Sequence, residues 1–187
     1  MIAGPLVLAS CESRRGNDSN LNEDRNEAAA ESNTDKFAGK KQKDANFVYE
    51  VVETNYNEIK LAELASQKSR TPALKQMAEM LQTDHTSSLN ELKTLAQAKA
   101  ISVPVEETEA SRRKMEDLAA EDDKKFDKAW CEQMMELHDK TIEKFEKRLE
   151  DSEDTELKAF ISKTLPVLKK HHEHLAGFSE RIKKQKS

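Results

Sequence analysis

Residues 157–178, LKAFISKTLPVLKKHHEHLAGF, decide the fold. Leu157, Ile161, Thr164, Leu168, His171, Leu175 and Phe178 recur every three or four positions, which puts their side chains on one face of an α-helix. Lysines and other polar residues fill most of the remaining positions. An apolar stripe of this width has to be buried against other helices, and His171 goes inside with it. Pro166 predicts a kink, because proline removes one backbone hydrogen bond and its ring clashes with the carbonyl of Ser162. This helix begins near Asp154 and extends to Ile182.

The same period appears three more times upstream. A helix over about 45–69 carries Val48, Val51, Asn55, Glu58, Ala62 and Ala65 on one face. A second starts at Thr71-Pro72, an N-cap followed by proline in the first turn, with the stripe Leu74, Ala78, Leu81, His85, Ser88, Leu92 and Leu95. Ile101-Ser102-Val103-Pro104 breaks the pattern, and a short helix fits 106–119. A third long helix, about 122–150, runs through Phe126, Trp130, Met134, Leu137, His138, Thr141, Phe145 and Leu149. Thr71-Pro72-Ala73-Leu74-Lys75 echoes Asp154-Thr155-Glu156-Leu157-Lys158, so the chain reads as two similar hairpins. Joined by about 20 residues, they predict an all-α four-helix bundle with a long connection between its second and third helices, containing a short helix.

Composition agrees. Hydrophobic and charged residues each make up 36% of the chain and aromatic residues 5%, the profile of long amphipathic helices. No glycine lies between Lys40 and Ala176. A P-loop, a dinucleotide fingerprint and a nucleophile elbow all require one, so these are excluded for the folded region. A net charge of −5 with both signs interspersed, and no basic stripe with interleaved aromatics, argues against nucleic-acid binding.

The N-terminus reads as an address. Residues 1–10 are apolar and end in Leu8-Ala9-Ser10 before Cys11, which looks like a bacterial lipoprotein signal that is cut before a cysteine destined for lipidation. No basic residue precedes Ile2, so the n-region such a signal needs is expected upstream of Met1. No other run approaches the ~18 apolar residues of a membrane span, so attachment to the membrane is expected through the lipid on Cys11. Residues 11–43 are polar, with few apolar side chains beyond Leu21 and Phe37, and are expected to form a disordered tether. The bundle is expected over 44–187. Cys131 is then left without a disulfide partner within the chain and is expected to be a small buried hydrophobe.

Asp84-His85-Thr86, Phe126-Asp127-Lys128-Ala129, Leu157-Lys158-Ala159-Phe160 and Thr164-Leu165-Pro166-Val167-Leu168-Lys169-Lys170-His171 resemble the domain of unknown function 4142 over about residues 44–178. The resemblance implies a ferritin-like fold and a place in the bacterial cell envelope, at the outer membrane or its periplasmic side. It implies no chemistry.

The candidate site is therefore read from the residues alone. Glu58, His85, His138 and His171 are polar groups on otherwise apolar stripes. A rise of ~1.5 Å per residue puts them within about two helical turns of one another along the bundle. The iron-carboxylate form of this architecture needs Glu-x-x-His. Gln82, Met135 and Leu168 stand three residues before the histidines, so a di-iron centre is not expected. Two readings stay open: a mononuclear site for one divalent transition metal, with Asp84 and Asp139 as outer partners, or a hydrogen-bonded network that fixes helix register. His171-His172-x-His174 is expected to be a solvated face with one inward member. No catalytic residue is assigned. The functional expectation is a lipid-anchored envelope protein with a non-enzymatic interaction or stress-related role, with a ferritin-like binder handling metal or peroxide as the alternative.

Overall fold

The structure is a computed structural model that describes residues 12–184. These residues form six α-helices and no strand: α1 (Glu12–Lys36), α2 (Gly39–Lys68), α3 (Pro72–Ala98), α4 (Glu109–Ala120), α5 (Asp123–Asp151) and α6 (Thr155–Lys184). The four long periodic segments and the short one emerge as α2, α3, α5, α6 and α4. Cys11 and the signal-like residues before it lie outside the described residues. None of the described helices is long and apolar enough to cross a membrane.

α2 packs on α3 and α5 on α6, and the two pairs meet through α2 against α5 and α3 against α6. Two apolar clusters fill the space between them. One holds Val48, Val51, Leu92, Phe145, Leu157 and Ile161. The other holds Leu61, Leu74, Leu81, Trp130, Met134 and Leu175. The order in which each helix visits the clusters gives its direction. α2 and α6 run from the first to the second, and α3 and α5 from the second to the first. The connection after α3 therefore returns along the length of the molecule before α5 begins. Ile101 and Val103 close the first cluster, and Leu118 of α4 reaches the second.

Local chemistry sets the helix ends. Asp154 caps α6, its Oδ1 accepting from the amides of Leu157 (2.9 Å) and Glu156 (3.1 Å). Thr71 precedes α3 as expected, but its hydroxyl donates to Asp127 instead of capping the helix, which ties the starts of α3 and α5 together. Pro166 lies within a continuous α6. Cys131 is fully buried, its thiol directed at the Leu175 carbonyl.

α1 differs from the unstructured tether expected for this stretch. Asn26 and Asn33, two helical turns apart on one face, are buried against the segment that follows α3. Asn33 Oδ1 accepts from the Ser102 amide (2.8 Å) and its Nδ2 donates to the Ser102 carbonyl (2.7 Å). Asn26 repeats the pattern, accepting from the Val105 amide (2.9 Å) and donating to the Glu106 carbonyl (3.3 Å). Tyr49 of α2 donates to the Asn26 carbonyl (3.0 Å). α1 is thus held by carboxamides that bind a stretch of backbone.

Candidate metal centre

A single polar layer separates the two apolar clusters. Each long helix leaves one cluster, contributes to the layer and enters the other. Asn55 and Glu58 lie between Val52 and Leu61 on α2, His85 between Leu81 and Leu89 on α3, His138 between Met134 and Phe145 on α5, and His171 between Leu168 and Leu175 on α6. The three histidines and Glu58 are at most 3% exposed. Their imidazole centroids form a nearly equilateral triangle with sides of 5.3, 5.4 and 5.5 Å.

The hydrogen bonds around the triangle fix which ring nitrogen carries each proton. Asn55 Nδ2 donates to the Val51 carbonyl (2.8 Å), so its Oδ1 faces His85 Nδ1 at 3.1 Å and can only accept. Glu58 Oε2 lies 3.0 Å from the same nitrogen. His85 therefore carries its proton on Nδ1. His138 Nδ1 donates to the Met134 carbonyl one turn back (2.9 Å). His171 Nε2 donates to Asp84, whose carboxylate reaches in from a half-exposed position on α3 (2.9 Å).

Each remaining ring nitrogen holds a lone pair: His85 Nε2, His138 Nε2 and His171 Nδ1. His85 Nε2 is buried and has no hydrogen-bond partner. His138 Nε2 and His171 Nδ1 face each other at 3.4 Å, acceptor against acceptor. One nitrogen from each of the three rings lies within 4.8 Å of the others. A positive charge, not a further hydrogen-bond acceptor, is what neutral imidazoles arranged this way would attract.

Electrostatics point the same way. Burial pushes His138 down to about 3 and His85 well below the ordinary histidine value, and the neighbouring imidazoles add to both effects. Burial also lowers His171, against the opposing pull of Asp84. The rings stay neutral, the form in which imidazole ligates a metal. Burial pushes Glu58 up to about 8. Its Oε1 stands 3.2 Å from His138 Nδ1, but that N–H already donates to Met134, and Oε1 has no aligned hydrogen bond.

The structure brings all four sequence-selected residues together in two roles. The histidines bring one nitrogen each within 4.8 Å of the others, His138 Nε2 against His171 Nδ1. Glu58 lies on the Nδ1 sides of His85 and His138, its Oε2 3.0 Å from His85 Nδ1 and its Oε1 3.2 Å from His138 Nδ1. Asp84 lies on the Nε2 side of His171, whereas Asp139 pairs with His172 outside the layer (2.9 Å). His174 is exposed. Sequence reading placed Asn55 on the α2 stripe but gave it no role. Its position three residues before Glu58, on the same face, was the available signal.

The family model described as Domain of unknown function (DUF4142) matches residues 27–177. The chain belongs to the DUF4142 family. That match spans the whole polar layer and takes in Asn33, so the DUF4142 region extends into α1. No curated protein and no solved structure matches the chain.

Proposed function

We propose that this DUF4142 protein is a metal-binding protein of the bacterial cell envelope that holds one transition-metal ion on His85 Nε2, His138 Nε2 and His171 Nδ1. The observation that carries this reading is the meeting of three buried imidazoles, one nitrogen of each within 4.8 Å of the others, whose opposite ring nitrogens are each held by an acceptor. Outer partners that fix tautomer and ring orientation accompany metal-ligating histidines generally. A register-fixing network would instead pair donors with acceptors, and here His138 and His171 oppose like with like. Imidazole donors suit zinc, copper, iron or nickel. Three protein ligands leave room for a further one, an arrangement compatible with taking up and passing on an ion. In this reading α2, α3, α5 and α6 form a ferritin-like four-helix bundle, and Cys11 carries the lipid that holds it to the membrane.

Thermal melting of the full chain with zinc, copper, iron or nickel salts tests the proposal. An ion that binds only the folded state stabilises it by about 2.7 kcal/mol when free ion reaches ~100 times Kd. At least one ion should raise Tm in this concentration-dependent way, and His85→Ala and His171→Ala should each remove the rise. A parent Tm unmoved by all four ions would overturn the reading. The anchor is tested separately: Cys11→Ser, expressed with an upstream signal, should shift the protein from the membrane to the soluble fraction or leave it unprocessed.

A further inference from the structure

The groove between α3 and α6 contains donors that the three-histidine layer does not use. It is an open cavity of about 460 Å³ lined by Met77 and Met80 from α3 and by His174 from α6, with Glu173 at its rim. Met77 and Met80 are three residues apart and so share a helix face. Met77 is largely buried against the second apolar cluster, Met80 half-buried, and His174 exposed. Arg181 closes one end, its guanidinium over the Phe178 ring at 5.4 Å. The other end leads toward the layer. Asp84 is one turn beyond Met80 on α3 and His171 one turn before His174 on α6, steps of about 6 and 4.5 Å along the helices. The Asp84–His171 hydrogen bond lies there and is the one link of the layer that involves a half-exposed side chain.

We propose that this groove is a second metal site, which captures a soft monovalent ion, Cu(I), on the Met77 and Met80 thioethers and the His174 imidazole. Thioethers select soft ions and bind zinc, iron and nickel poorly, whereas imidazole accepts all of these and copper too. Copper is the ion common to both donor sets. Extending that identity to the inner layer rests on the three-histidine reading, while the groove site itself does not. Glu173 supplies a negative charge at the rim. Copper captured here lies one helical turn outside His171.

The test uses Ag⁺ as a redox-inert probe and full-length protein with ¹³C-methyl-labelled methionine. Cys11→Ser and Cys131→Ala remove competing thiols. The Met77 and Met80 methyl resonances, identified by Met77→Leu and Met80→Leu, should shift together on addition of equimolar Ag⁺. Those of Met115, Met134 and Met135 should stay in place, and His174→Ala should abolish the shift at equimolar ion. Met→Leu conserves side-chain volume, so these variants should keep the fold. The shift should also persist in His171→Ala, which disables the inner layer, so failure of the three-histidine reading leaves this test intact. Met77 and Met80 methyls unmoved in excess Ag⁺, in a protein whose inner layer still binds metal, would overturn the groove site alone.

Discussion

Two buried polar regions of this molecule are built on opposite rules. Where α1 meets the segment after α3, each donor meets an acceptor: Asn33 is 1% exposed and both polar atoms of its side chain are bonded to Ser102. In the histidine layer the outward nitrogens are satisfied and the inward ones are not. His85 Nε2 has no partner, and His138 and His171 present lone pairs to each other. A buried polar group without a partner costs about 1–3 kcal/mol, so a fold retains such a layer only where something else offsets the cost. The first region is complete within the chain. The second, in the reading proposed above, is completed by a ligand.

The largest expected effect separates the two directly. With saturating ion, His171→Ala should lose the whole ligand-dependent stabilisation, about 2.7 kcal/mol at ~100 times Kd and about 4 at ~1,000 times. Without ion the same substitution should cost much less, because it also removes a lone-pair clash. Calorimetric melting with and without ion measures both. Equal losses in the two conditions would make the layer as self-contained as the α1 contact.

Next comes the α1 contact itself. Asn33→Ala strips partners from the amide and carbonyl of Ser102 and should cost about 1–3 kcal/mol, with or without ion. Denaturant unfolding should show the same loss in both. Removal of residues 12–36 should cost at least as much. A deletion that left stability unchanged would return α1 to the role of a tether.

The smallest effect concerns pH in the ion-free protein. Glu58 rises to about 8 in the fold from an ordinary 4.5, so its contribution is complete below about 4.5 and is lost as pH climbs through 8. The histidines are depressed, His138 to about 3 from 6.5, so theirs is complete above 6.5 and lost on acidification toward 3. The two trends oppose each other between 4.5 and 6.5, and above that, of the four groups in the layer, only Glu58 acts. Stability should therefore decline from about pH 6.5 past 8, and Glu58→Gln should flatten that decline while leaving the acid limb in place. Tm against pH for the two proteins is the measurement.

These regions also show what was legible in the sequence. α2, α3, α5 and α6 were readable because their burial is apolar and periodic. Glu58, His85, His138 and His171 stood out as exceptions on those stripes, and counting residues was enough to put them near one depth. Their division of labour was not readable. Whether Glu58 meets a metal or the back of an imidazole depends on ring orientation, which is set by the Met134 carbonyl, the Asn55 amide and Asp84 across the helix interface. α1 was missed for a related reason. It docks through Asn26 and Asn33 onto backbone groups, and a search for apolar periodicity cannot see a helix held by two carboxamides.

The central claim is that the inward-facing nitrogens of the histidine layer hold an ion. Elemental analysis of the full chain, purified without an affinity tag and without chelator, tests it most directly. The parent should carry one transition-metal ion per chain in the histidine layer, beyond any copper held in the groove, and both His85→Ala and His171→Ala should carry one ion per chain fewer than the parent. A folded parent that carries no transition metal, and whose Tm no added ion raises, would contradict it.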